Sequence, residues 1–243
     1  MKKTLGIVLG CAGLSLAAAE ARTVYTFEGP SHIQYNAAGN ITSLFYQYDT
    51  DENLSFAATI EQKPWSVGVA EGGWFVLSPG DNPKAIDNEL AIFYMDFAGG
   101  DLYTYRYDGN LGINGQASYE DPDLFVNSYQ DVLDVTDEAG VLNVGFNNLD
   151  ISDIAPGTFG PDWTGASFGE QIGIWLHFAA IDSFAVVDGK ITEFFTGVQS
   201  WYDVKYQDTT VSVSEPAGLA ALGLLGVLGA GAVRQRRRQQ ADA

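Results

Sequence analysis

Gly165-Ala166-Ser167-Phe168-Gly169 has the spacing of a hydrolase nucleophile elbow, in which a strained strand-to-helix turn presents a serine to a histidine base. Its surroundings do not fit. Pro161-Asp162-Trp163 ahead of it is loop-like, and Gln171 to Leu176 behind it has the pattern of a strand rather than a helix. That fold also needs an acid and then a histidine downstream, yet the last histidine, His177, follows almost at once. His32 and His177 are the only two histidines, too few for a zinc site of several imidazoles. His177 shares a strand face with Trp175, opposite Ile174, Leu176 and Phe178, so a satisfied histidine on the less buried face is expected. Carboxylates are abundant, but a sequence does not supply the separation that marks a glycosidase pair. The expectation is a protein that is not an enzyme.

Two other groups could bind rather than catalyse. Asp49-Thr50-Asp51-Glu52-Asn53 offers oxygens at alternate positions, making Asp49, Asp51 and Asn53 candidate calcium ligands. The loop is not an EF-hand, because Leu54 stands where glycine is needed and Ile60 where the bidentate glutamate belongs. Asp121-Pro122-Asp123 and the set Asp131, Asp134 and Asp137 are looser alternatives, and solvated turns account for any of the three. No other cofactor is implied. Tyr103, Tyr105 and Tyr107 fall on one face of a strand, with flat rings suited to stacking on sugars. Trp65, Trp74, Trp163, Trp175 and Trp201 are further glycan candidates, although alternating aromatics also fill sandwich cores.

The elements that position these groups are short alternating runs separated by Gly, Asn, Asp and Pro, with no sustained helical period. Strands are expected at Thr23–Phe27, Ile41–Asp49, Leu54–Glu61, Gly73–Ser78, Leu90–Phe97, Leu102–Tyr107, Val141–Phe146, Gln171–Ala179, Ser183–Val187, Lys190–Thr196 and Trp201–Tyr206. Asp188-Gly189 suits a two-residue hairpin turn. The pattern predicts an all-β fold, an antiparallel, jelly-roll-like β-sandwich over 22–206, followed by a tether over 207–213.

Charge narrows the partners. Of the chain's 31 acidic residues all but Glu20, Glu215 and Asp242 lie in the body, which holds only half of the 12 lysines and arginines. The body is therefore more acidic than the overall net charge of −19. Nucleic acid is excluded as a partner, and acidic polysaccharide is repelled unless divalent cations bridge the surfaces. The single cysteine, Cys11, lies in the N-terminal leader, so disulfides cannot stabilise the body.

Both ends carry targeting patterns. Met1-Lys2-Lys3, the apolar run Thr4–Leu16 and Ala19-Glu20-Ala21 form a secretory signal peptide over 1–21. At the other end Ser214-Glu215-Pro216 precedes an uncharged run from Ala217 to Val233, then Arg234, Arg236, Arg237 and Arg238. As a helix that run is about 25 Å long, slightly short of a ~30 Å hydrocarbon core, and the arginines behind it would hold its end on the cytoplasmic side. The expected order is thus a single transmembrane helix over 217–233 and a basic tail over 234–243. Val8-Leu9-Gly10-Cys11 is a poor match to a lipoprotein signal.

The tail, over about 214–240, resembles the PEP-CTERM sorting signal, with Ser214 in place of the first proline. The resemblance implies an exosortase-like processing enzyme, cleavage near Glu215-Pro216, and an exported bacterial protein first held in the inner membrane by its helix. The expectation is a structural or adhesive component of the cell envelope, cell surface or extracellular matrix. The alternatives are a carbohydrate-binding module for extracellular polysaccharide and, behind it, a secreted hydrolase.

Overall fold

The structure, a computed structural model, describes residues 21–29, 35–63, 72–79, 90–107, 125–161, 163, 165–187 and 190–214, with backbone alone at 35, 90, 107, 179–187, 190–206 and 214. The compact unit is Thr23–Ser212. Its strands are β1 (Arg22–Gly29), β2 (Tyr35–Asn36), β3 (Gly39–Asp49), β4 (Asn53–Gln62), β5 (Gly72–Ser78), β6 (Leu90–Asp96), β7 (Asp101–Tyr107), β8 (Phe125–Tyr129), β9 (Asp134–Glu138), β10 (Val141–Asp150), β11 (Gln171–Val187), β12 (Lys190–Asp208) and β13 (Thr210–Ser214). They form a six-stranded sheet, β13-β1-β3-β4-β10-β9, and a seven-stranded sheet, β2-β12-β11-β5-β6-β7-β8. The all-β antiparallel sandwich expected from the sequence is the observed fold. The likeness to a jelly roll extends to the two packed sheets and the repeated crossings between them. The pairings themselves are hairpins and a meander, joined by β4–β10 and β5–β11.

Local chemistry explains most of the turns. Asp49 closes the β3–β4 hairpin by accepting hydrogen bonds at Oδ1 from the Asp51 and Asn53 amides. Ala139 and Gly140, with φ of 53° and 82°, make the two-residue turn between β9 and β10, the arrangement that matches strand twist. The predicted turn residues Asp188 and Gly189 lie outside the described residues, but Val187 pairs with Lys190 across them, as a two-residue hairpin requires.

The differences from the expected strands have physical reasons. Gln171–Ala179 and Ser183–Val187 fuse into β11, and Lys190–Thr196 and Trp201–Tyr206 into β12. Register shifts around Ile181 and its partners absorb the residues that interrupt alternation. β2 is too short to show a period, and β8 pairs only with the edge of the meander. β9 is an acidic edge strand whose composition disfavours a strand reading. Most of the expected tether, 207–213, is not a tether: residues 207–208 end β12, and Thr210–Ser214 is β13, which occupies the edge of the six-stranded sheet.

The core lies between the sheets and is aromatic at its centre. Tyr46 and Phe56 of one sheet meet Phe75 of the other, with Phe56–Phe75 centroids 4.8 Å apart and Phe75–Phe93 4.6 Å apart. The β10–β11 connection adds buried Ile151, Ile154, Trp163, Ala166 and Phe168 to this core, and Trp163 Nε1 donates to the Ile154 carbonyl at 3.2 Å. No helix among the described residues is long and apolar enough to cross a membrane. The predicted signal peptide up to residue 20 and the predicted membrane helix 217–233 lie outside the described residues.

Candidate functional site

The tyrosine row is interior. Tyr103 and Tyr105 are 2% and 1% exposed, so neither ring presents a face to a sugar. The Tyr103 hydroxyl donates to Asp101 Oδ2 at 3.1 Å, and burial, with that neighbouring carboxylate, pushes its pKa up to about 12. Tyr105 packs edge-on against Tyr94 and Phe125. The side chain of Tyr107 lies outside the described residues. Trp74, Trp163 and Trp175 are buried as well, and the side chains of Trp65 and Trp201 are not among those described. Of the two readings of Tyr103 and Tyr105, sugar platform or sandwich interior, burial removes the first. The reason is that the stretch of the seven-stranded sheet formed by β5, β6 and β7 is buried on both faces.

His177 belongs to the same buried face. Its ring stacks on Trp74 at 4.4 Å and receives a hydrogen bond at Nε2 from Trp175 Nε1. The imidazole is held among aromatic rings, on the face it was expected to share with Trp175. That face, however, is buried rather than wet. Ser167 sits in irregular chain that leads straight into β11, so the strand-to-helix turn of a nucleophile elbow is missing. Gly165 has a packing reason instead: at φ +58°, any Cβ would lie 2.3 Å from the Ile154 carbonyl.

Of the expected calcium ligands, Asp49 has its Oδ1 turned to donors, and Asn53 supplies two of them. Asp49 Oδ1 accepts from the Asp51 amide, the Asn53 amide and Asn53 Nδ2 at 3.0, 3.2 and 3.1 Å. An oxygen surrounded by three N–H groups closes a turn; it does not present itself to a cation. The looser alternatives do not converge either. Asp131 uses its amide on Asp101, Asp137 accepts from Gln62, and residues 121–123 lie outside the described residues. Among the described residues no three His, Cys, Asp or Glu side chains form a metal-binding group.

Two open recesses lie among the described residues. One, of about 520 Å³, lies where Pro79, Glu170, Gln171, Asp208 and Val211 meet. Its Asp208 already accepts from Gln171 Nε2, and no histidine lines it. The other, about 280 Å³, is a trough on the outer face of the six-stranded sheet. Its floor is Ala57 and Gly145, directly paired across β4 and β10. Along one side Thr59 donates to Asn143 Oδ1 at 2.8 Å, and Asn143 Nδ2 donates to Thr136 Oγ1 at 3.2 Å. Asp134 stands beyond Gly145 on β9, and half-buried Phe45 stands beyond Ala57 on β3.

Of these trough residues only Asp134 was singled out from the sequence, and as a loose calcium candidate rather than as part of a trough. The visible signal was two small residues in alternating strands, but the register that brings them together is long-range. Of the predicted sorting residues, Ser214 ends β13, while Glu215, Pro216, Arg234, Arg236, Arg237 and Arg238 lie outside the described residues. Fold and surface together define an acidic antiparallel β-sandwich protein whose described residues assemble no triad or metal centre. Compared with protein-family models, with curated proteins and with solved structures, the chain matches none.

Proposed function

We propose that this chain is an exported structural or adhesive component of a bacterial cell surface or extracellular matrix, sorted through its PEP-CTERM-like tail, and that it is not an enzyme. The observation that carries the reading is the extent of the compact unit, Thr23–Ser212. It begins two residues past the predicted signal peptide, which ends at Ala21, and it stops before the predicted sorting tail, which begins at Ser214. Two targeting patterns read independently from the sequence thus lie outside the compact body. The tail supplies the expected partners, an exosortase-like processing enzyme and the inner membrane.

The mass of the mature protein from cell envelope and medium tests this reading. An N-terminus at Arg22 and a C-terminus near Glu215 are expected. A chain still beginning at Met1 in the cytoplasmic fraction would overturn export, and an intact Ala243 terminus in the membrane would replace sorting with plain anchoring.

A further inference from the structure

We infer that the trough on the outer face of the six-stranded sheet is a binding site for a neutral oligosaccharide. The inference gives the adhesive role proposed above a surface, and rests on that role only for where the glycan is met.

Cross-strand register builds the site. Glu28, Phe45, Ala57, Gly145 and Asp134 are successive partners across β1, β3, β4, β10 and β9, so the trough floor runs across the strands rather than along them. Ala57 and Gly145 have almost no side chain, which makes the depression. Gly145 cannot be enlarged without conflict, since its Cβ would lie 2.6 Å from the Phe56 carbonyl.

The occupant follows from the chemistry along the trough. Backbone groups on the sheet interior are already paired in the ladders, so an extended peptide gains no strand-addition hydrogen bonds here. Recognition must come from side chains. Thr136 accepts from Asn143 and retains its own hydroxyl hydrogen to donate; Thr59 donates to Asn143 and retains lone pairs to accept. Asp134 adds an exposed acceptor, and Phe45, the partner of Ala57 on β3, continues the row past the lining with a half-buried ring. Hydroxyl partners, amides, one carboxylate and one aromatic ring match the alternating C–H and O–H surface of a sugar. The acidity of the body selects a neutral glycan over an anionic one.

The test titrates the full-length chain in mild detergent with linear hexasaccharides of glucose, mannose, galactose, xylose and N-acetylglucosamine, and with hexagalacturonate. At least one neutral hexasaccharide is expected to bind, and hexagalacturonate is not. Ala57→Leu, which fills an exposed position on the floor, should weaken binding about tenfold or more with an unchanged melting temperature. Asn143→Ala should weaken it about fivefold, the usual net worth of a hydrogen-bonding group. Phe45→Ala should also weaken it, and Phe45→Tyr should restore it. The inference is overturned by no neutral binding at 10 mM ligand, by wild-type affinity in Ala57→Leu, or by hexagalacturonate binding as tightly as the best neutral sugar. Export is read separately from the mature mass, so a protein correctly processed yet blind to every sugar would remove this site and leave the proposed function standing.

Discussion

The outer faces of the two sheets are built differently. In the six-stranded sheet β10 alternates, with Leu142, Val144 and Phe146 buried and Asn143 and Asn147 exposed. In the seven-stranded sheet β5 buries every residue from Gly72 to Ser78, and Ile172–Phe178 of β11 is equally closed. A sheet with one wet face needs apolar residues at every second position only; a sheet covered on both faces needs them throughout. The difference decides what each sheet can do. The first can display polar groups to a ligand, whereas the second uses its aromatics, Trp74, Tyr94, Tyr105, Trp175 and His177, as a second interior.

Trp74→Ala is the most direct way to break this distinction. If the second face is true interior, the substitution should destabilise by about 3–5 kcal/mol in a denaturant titration, as for an aromatic deleted from a core. A loss under about 1 kcal/mol would mean the face is open. Alkaline unfolding comes next. Burial raises the phenols of Tyr48, Tyr103 and Tyr129 from 10.0 to about 12, aided at Tyr48 by Glu52 and Asp49 and at Tyr103 by Asp101. A folded pKa above the unfolded one means that the native state holds the proton more tightly. Their contribution is complete below pH 10 and disappears as pH rises toward 12. Melting temperature should therefore fall steeply across that window, and Tyr103→Phe should flatten part of the slope.

Smaller effects are expected within the six-stranded sheet. Gly145→Ala should cost about 1–3 kcal/mol, because the added methyl meets a backbone carbonyl that cannot swing away. Asp49→Ala removes an acceptor from three N–H groups and should cost about 1–2 kcal/mol. Asp49→Asn keeps an oxygen in place and should recover part of that loss. A calcium-dependent rise in melting temperature that Asp49→Asn abolishes would contradict the donor-filled geometry of this turn.

How much of this was legible depends on the sheet. Alternation in Val141–Phe146 announced a strand with one wet face, and that is what forms. Alternation around Tyr103 and Tyr105 left both a sugar platform and a sandwich interior open, because the pattern places the rings on one face without saying whether anything covers it; burial decides for the interior. The neighbouring run Leu90-Ala91-Ile92-Phe93-Tyr94-Met95 was the better guide, since it has no polar residue to spare for solvent. Asp49 was legible as a turn residue, but whether its oxygens face a cation or amides depends on backbone direction. The trough was not legible at all. Thr59 and Asn143 are 84 residues apart, and no local pattern encodes the register between β4 and β10.

Thr59→Ala sharpens the comparison with the smallest change. Its hydroxyl donates to Asn143 at 2.8 Å, at the surface, where water offers an equivalent partner to whichever group is left behind. Stability should move by no more than about 0.5 kcal/mol, as is usual for surface positions outside caps and cores. Binding of a neutral oligosaccharide should nevertheless weaken, because Asn143 loses the partner that fixes its amide and the ligand loses an acceptor. Such a split, affinity falling while stability holds, is available only on a face that is not also interior. A stability loss above about 2 kcal/mol would place Thr59 in the same class as Trp74 and erase the difference between the two sheets.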